Sequence, residues 1–289
     1  MWLKRYTDIA DYYARVEPFL MRHEAAHCLL LGICSTLLHQ PETEHADVYM
    51  ATVEREGEVV LAAMRTLPFH PVLSLPAEDA HTAETLAPLI QDLRAVYGQL
   101  SGIHGPAALS WAFAEQWHGT TGQDFHPFQR ERIYQLETVI PVAGVPGSTR
   151  RATPDDRGVI ERWLAAFNDE ALPASAPRDD PAEWVSRLFT TPSRAAYLWV
   201  DNGAPVSLAG YGNPTPNGMR IGPVYTPPER RGRGYASACV AAMSQLLLDA
   251  GRRFCFLFTD LANPTSNAIY QRIGYRPVCD VDVYEFAKE

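Results

Sequence analysis

Arg230-Arg231-Gly232-Arg233-Gly234-Tyr235-Ala236 gathers three guanidinium groups and two glycines into seven residues. Glycine lets successive backbone N–H groups turn toward one point, and forked arginine donors add full positive charge. A loop of this composition suits an anion such as a phosphate. Ile221, Val224 and Tyr225 lead into it as a strand-favouring run. Pro223 cannot donate to a ladder and so demands a bulge or an outward-turned edge, and Pro227-Pro228 ends the strand. Behind the loop, Ala236, Cys239, Val240, Met243, Leu246 and Leu247 recur at helical spacing, with Gly251 placed as C-terminal cap. Strand, glycine loop and helix together set the loop amides at the positive end of a helix dipole. No Gly-Lys-Ser/Thr closes the loop and no GxGxxG is present, which excludes a nucleotide-hydrolase P-loop and a dinucleotide fingerprint.

A second group of residues follows in NPTSNAIYQRIGY, Asn263 to Tyr275. Asn263 is a good N-cap, Pro264 fits the first helical position, and Gly274 ends the helix. Asn263, Asn267 and Tyr270, spaced four and three apart, share one face. A phenol with pKa near 10 can hand its proton to a departing group of similar basicity.

Arg231-x-x-Gly234-x-Ala236, between a strand and a helix, resembles the acyl-CoA pyrophosphate motif Arg/Gln-x-x-Gly-x-Gly/Ala of the GNAT superfamily of N-acyltransferases. Asn263 to Tyr275 resembles the helix that lies beside the cofactor in that family. The resemblance implies that the amides of Arg231, Gly232, Arg233, Gly234, Tyr235 and Ala236 hold the pyrophosphate. It implies that Val224-Tyr225-Thr226 receives the pantetheine arm, the Val224 and Thr226 backbones pairing with it and nearby N–H groups stabilising an oxyanion. Asn263 and Asn267 then contact the cofactor, and Tyr270 protonates the CoA thiolate. The implied reaction moves acetyl from acetyl-CoA to a primary amine of a small molecule or peptide. The general base stays open: Asp260 and Glu170 lack a motif, and an amine can also lose its proton through water. A non-catalytic acyl-CoA-binding regulator is the first alternative, and an HExxH zinc peptidase the lesser one.

These residues need elements to position them. With 289 residues, 46% hydrophobic and 20% charged, the chain has the length of two domains with real cores. Pro141 to Ser148 concentrates Pro and Gly and marks the expected boundary, giving lobes 1–144 and 145–289. In the second lobe, Thr149–Thr153 reads as a strand, and Thr153-Pro154 starts a helix ending near Glu170. Leu172–Asp180 reads as a loop, and Pro181 starts another helix. Ala196–Val200 and Val206–Tyr211 pair across Asp201-Asn202-Gly203, Phe254–Thr259 is a strand, and Val281–Phe286 is the last. The first lobe follows the same order: helical Thr7–Gln40 broken at Pro18, a strand pair over Val48–Leu67, strand Val72–Leu75 and helix Thr82–Tyr97. Helix Ala107–His118 and strand Ile133–Ile140 complete it. The fold class expected is therefore α/β (α+β): two tandem GNAT-like lobes, each a mixed, mostly antiparallel sheet flanked by helices. In the first lobe Ala77-Glu78-Asp79-Ala80-His81 replaces the glycine loop, and its carboxylates would repel a pyrophosphate. That lobe is expected to be degenerate and structural or substrate-shaping.

Charge is uneven. Residues 1–144 hold 9 Lys and Arg against 18 Asp and Glu, and the rest holds 16 of each. No basic patch is present, so nucleic acid is not an expected partner. No stretch is apolar and long enough to span a bilayer, five cysteines show no CxxC spacing, and the N-terminus has no signal pattern. A cytoplasmic protein is expected, and a homodimer is compatible with the sequence. His23-Glu24-Ala25-Ala26-His27 satisfies HExxH, the zinc-peptidase spacing, but no third ligand follows on a recognisable second helix, and no metal is expected.

Overall fold

The computed structural model describes residues 1–40, 47–173, 178 and 180–287, and the chain divides into two compact units. The first holds Met1–Ile133, Asp260–Ala262 and Val278–Glu289; the second holds Tyr134–Thr259 and Asn263–Pro277.

In the first unit the chain forms β1 (Trp2–Tyr6), α1 (Ile9–Leu20), α2 (Cys28–Leu37), β2 (Tyr49–Arg55), β3 (Glu58–Arg65), β4 (Val72–Leu73), α3 (Thr82–Tyr97), β5 (Gly102–Pro106), α4 (Ala107–Thr121) and most of β6 (Phe125–Leu136). β1 precedes the helical pattern and was not legible in it. α1 starts where the Asp8 carboxylate caps Asp11 N at 2.8 Å, and it runs two residues past Pro18. The β2–β3 hairpin turns on Glu56-Gly57, both at positive φ, as Arg55-Glu56-Gly57-Glu58 predicts. The sheet order is β1-β2-β3-β4-β5-β12-β6, where β12 is Arg276–Phe286 from the chain's far end. α3 and α4 cover one face over Leu86, Leu89, Phe113 and Trp117; α1 and α2 cover the other over Tyr12, Val16, Leu30 and Leu31.

The second unit is built of β7 (Ser148–Arg151), α5 (Arg157–Ala171), α6 (Pro181–Thr190), β8 (Ala195–Asp201), β9 (Ala204–Gly212), β10 (Gly218–Tyr225), α7 (Tyr235–Asp249), β11 (Phe254–Asp260) and α8 (Pro264–Arg272). Thr153 and Asp156 form a reciprocal capping box before α5. Asn202 (φ 49°) and Gly203 (φ 76°) turn β8 into β9. The strand order is β6-β11-β10-β9-β8-β7. α7 and α8 bury Cys239, Val240, Met243 and Tyr270 with Tyr134 and Leu136 of β6, while α5 and α6 bury Ile160, Leu164, Trp184 and Val185 on the other face. The part of the Leu172–Asp180 loop formed by residues 174–177 and 179 lies outside the described residues.

Both units are mixed, mostly antiparallel sheets between helices, as the sequence implied. Chain allocation differs from the expected lobes. The strand Val281–Phe286 pairs with β5, Val283 opposite His104, and packs Tyr284 and Phe286 into the first unit's core. The switch between units falls at Ile133/Tyr134, inside β6, upstream of the Pro/Gly segment. Strand alternation shows that a segment pairs, and pairing partner is decided by which apolar face needs covering. Among the described residues no helix is long and apolar enough to cross a membrane.

Candidate acyl-donor site

The site begins with a split in the sheet. β10 pairs with β11 in parallel only at Gly218 opposite Phe254, Met219 opposite Cys255 and Arg220 opposite Phe256. Its antiparallel register with β9 shifts between Ile221 and Val224, the bulge that Pro223 demanded. Gly222 sits at φ 147°, where an L side chain would be strained. From Ile221 onward β10 has left β11, so a wedge opens along Val224-Tyr225-Thr226. Such an open edge can accept an added strand-like ligand.

The glycine loop closes one end of the wedge. Gly232 (φ 75°) and Gly234 (φ 80°) both take the left-handed conformation, and Gly234 is the N-cap of α7. The amides of Gly232, Arg233, Gly234, Tyr235 and Ala236 make no hydrogen bond to any described residue, while Ala238 N already bonds Gly234 O at 3.0 Å. Five consecutive donors at a helix N-terminus are thus left for an anion. The Tyr235 side chain, buried, anchors the loop by donating to Asp201 at 2.7 Å.

The three arginines divide the work. Arg231 is spent within the protein: Nε donates to Thr226 O at 2.8 Å, and Nη2 meets Glu170 at 2.5 Å. Glu170 also accepts from the Tyr225 hydroxyl at 3.0 Å, so the end of α5, the end of β10 and the loop are clipped together. Burial, then this carboxylate, raises the Tyr225 phenol above its ordinary range. Arg230 and Arg233 make no ion pair among the described residues.

Tyr270 lies on α8, 9% exposed, its ring edge-on to Tyr275 at 5.9 Å. Its hydroxyl bonds no described residue, and burial pushes its pKa up to about 12. A phenol in this setting keeps its proton and holds it ready for an acceptor. Asn263 does cap α8, accepting from Ser266 N at 3.0 Å. Asn267 turns inward: Oδ1 accepts from Tyr134 at 2.9 Å and Nδ2 donates to Asn263 O at 2.8 Å. The two asparagines therefore organise the helix. Of the base candidates, Glu170 is engaged as above, and Asp260, grouped with the first unit, accepts from Ala262 N at 2.8 Å.

His27 of the HExxH match is buried, with Nδ1 against Leu20 O at 2.8 Å and Nε2 accepting from Leu75 N at 2.9 Å. Both ring nitrogens are in use; His23 ends a 3₁₀ turn (Met21–His23), Glu24 to Ala26 continue as a turn, and His27 is the N-cap of α2.

Residues 160–275 match the family model described as the acetyltransferase (GNAT) family. This part of the chain resembles the GNAT superfamily. The matched GNAT segment runs from within α5 to just past α8 and so contains the wedge, the loop and Tyr270. In fold, the whole chain is similar to a Drosophila protein of known structure (12% identity, 99% of this chain and 98% of that one, TM-score 0.70). It is similar also to a GCN5-related N-acetyltransferase from Sphaerobacter thermophilus (16%, 98% and 95%, TM-score 0.60). A tandem GNAT protein from the clavulanic acid biosynthesis pathway aligns over 99% of this chain and 98% of its own (16%, TM-score 0.59). Among curated proteins, none matches this chain in sequence.

Proposed function

We propose that the protein transfers an acetyl group from acetyl-CoA to a primary amine of a small molecule or peptide. The observation that carries this reading is the set of five unfilled amides, Gly232 to Ala236, at the mouth of the β10–β11 wedge. The residues present fit an acyl-CoA. The amides and Arg230 and Arg233 suit its phosphates, and the open edge of Val224-Tyr225-Thr226 suits the amide-bearing pantetheine arm. When bound, acyl-CoA supplies an acyl group activated as a thioester. The chain's own residues then do three things. The loop amides fix the donor, the β10 edge aims it along the wedge, and Tyr270 holds a proton at Oη for a departing thiolate. Glu170 and Asp260 are engaged elsewhere, so the amine sheds its proton to water.

The first lobe serves this reading as a degenerate partner. Counting seven residues from the helix N-cap gives Tyr270 in α8 (from Asn263) and Phe113 in α4 (from Pro106), which has no hydroxyl. Its Ala77–His81 loop is drawn onto the β2–β3 hairpin by Ala77 N to Val60 O at 2.9 Å and an Asp79–Arg55 ion pair. A cytoplasmic setting agrees with five free thiols.

The test is calorimetric titration with acetyl-CoA of the native protein and of Gly234→Glu, followed by thiol release with a polyamine, a lysyl peptide and an aminoglycoside. The reading expects micromolar binding that Gly234→Glu abolishes, and turnover that Tyr270→Phe lowers about ten- to a hundredfold with binding unchanged. Binding without turnover on any probe amine, or turnover indifferent to Tyr270→Phe, overturns it.

A further inference from the structure

Tyr270 depends for its aim on the placement of a nine-residue helix, because its own hydroxyl has no partner among the described residues. That helix is gripped from outside by one buried phenol. Tyr134, in β6, is fully buried, and its hydroxyl accepts from Gln271 Nε2 at 3.0 Å and donates to Asn267 Oδ1 at 2.9 Å. Asn263, Asn267 and Gln271 are spaced four apart, so they form one stripe along α8. The bonds run along it in sequence: Gln271 to Tyr134, Tyr134 to Asn267, Asn267 to Asn263 O at 2.8 Å. A phenol bonded to two successive turns of one helix opposes both its rotation about its axis and its sliding along the strand. Tyr270 is three residues from Asn267 and one from Gln271, so any rotation the network allows swings its hydroxyl directly.

We propose that Tyr134 is a positioning residue for the Tyr270 proton donor, acting through Asn267 and Gln271 on the setting of α8. The inference rests on the acyl-transfer reading above. It also reassigns Asn267, which the family resemblance placed against the cofactor, to the interior of the network. Tyr134 touches no reacting atom in this scheme. Removing its hydroxyl leaves the ring and the core packing in place.

The experiment compares the full-length protein with Tyr134→Phe, Tyr270→Phe and the double variant. In ligand-free protein, amide exchange over residues 264–272 is expected to be about tenfold faster in Tyr134→Phe, with the rest of the second unit unchanged. With acetyl-CoA and the same three probe amines, Tyr134→Phe is expected to lower kcat about tenfold while the calorimetric Kd for acetyl-CoA stays within about twofold. In the double variant the effect is expected to vanish, kcat matching Tyr270→Phe alone, because a misaimed donor that is already absent costs nothing. Equal losses from Tyr134→Phe in both backgrounds, or unchanged exchange over α8, overturn the proposal. Native turnover with kcat indifferent to Tyr134→Phe overturns it alone. Absence of native turnover on every probe overturns it together with the transfer reading.

Discussion

His27 illustrates how one side chain can satisfy two backbone groups and thereby couple the first unit to pH. Nε2 must stay unprotonated to accept from Leu75 N, and burial lowers the imidazole pKa to about 4. Between the unfolded value near 6.5 and the folded one, the unfolded chain binds a proton that the folded chain refuses. Stability from His27 is therefore complete above about pH 6.5 and is lost as pH falls toward about 4, on the order of 3 kcal/mol across the window. His70, half-buried and lowered to about 4 by desolvation as well, adds a slope of the same sign. Urea unfolding at about pH 7.5 and about pH 5 should show the native protein weakened at the lower pH. His27→Gln, which keeps a donor and an acceptor without a titrating proton, should reduce that difference; an undiminished difference would count against the assignment. At this scale the sequence was a good guide to residue types and a poor one to their partners. Tyr270 and the loop glycines stood out by motif. The spending of Glu170 on Tyr225 and Arg231, and of His27 Nε2 on Leu75 N, depends on residues 48 to 61 positions away.

The elements around the donor site make different uses of charge. Arg231 binds the end of α5 to the end of β10, whereas Arg230 and Arg233 make no ion pair among the described residues. Arg230→Ala and Arg233→Ala should each weaken acetyl-CoA binding about two- to fivefold at low ionic strength, and the effect should shrink in high salt. Arg231→Ala should weaken it at all salt concentrations, since it releases the loop from β10. Titrations at two ionic strengths separate the cases, and a salt-sensitive Arg231→Ala effect contradicts the clip. Element existence was legible from period and punctuation: the α3 span, the two hairpin turns and the strand–loop–helix unit all fall where the pattern put them. The split between β10 and β11 was announced only by Pro223. Its length, from Ile221 onward, is set by a register that one strand cannot encode.

Across the whole molecule, chain order and structural allocation part company. Tyr134 and Leu136 complete the second unit's core, and residues 278–289 belong to the first. A fragment covering 145–289 thus lacks the strand that grips α8 and carries a β12 with no β5 to pair with. Such a fragment should be poorly soluble, with weak near-ultraviolet dichroism and no acetyl-CoA binding. Native-like dichroism and binding from it would contradict the allocation. What the sequence by itself determined is local: which segments are helix or strand, where glycine must stand because φ is positive, and which residues could present amides, charge and a phenolic proton. These follow from backbone sterics and short-range periodicity, which a single segment carries. The tertiary structure alone decided which sheet receives β12, which helix Tyr134 holds, and which arginine is clipped to Glu170. Those outcomes depend on burying one apolar face against another and on pairing polar groups far apart in the chain, and no local pattern contains the partner.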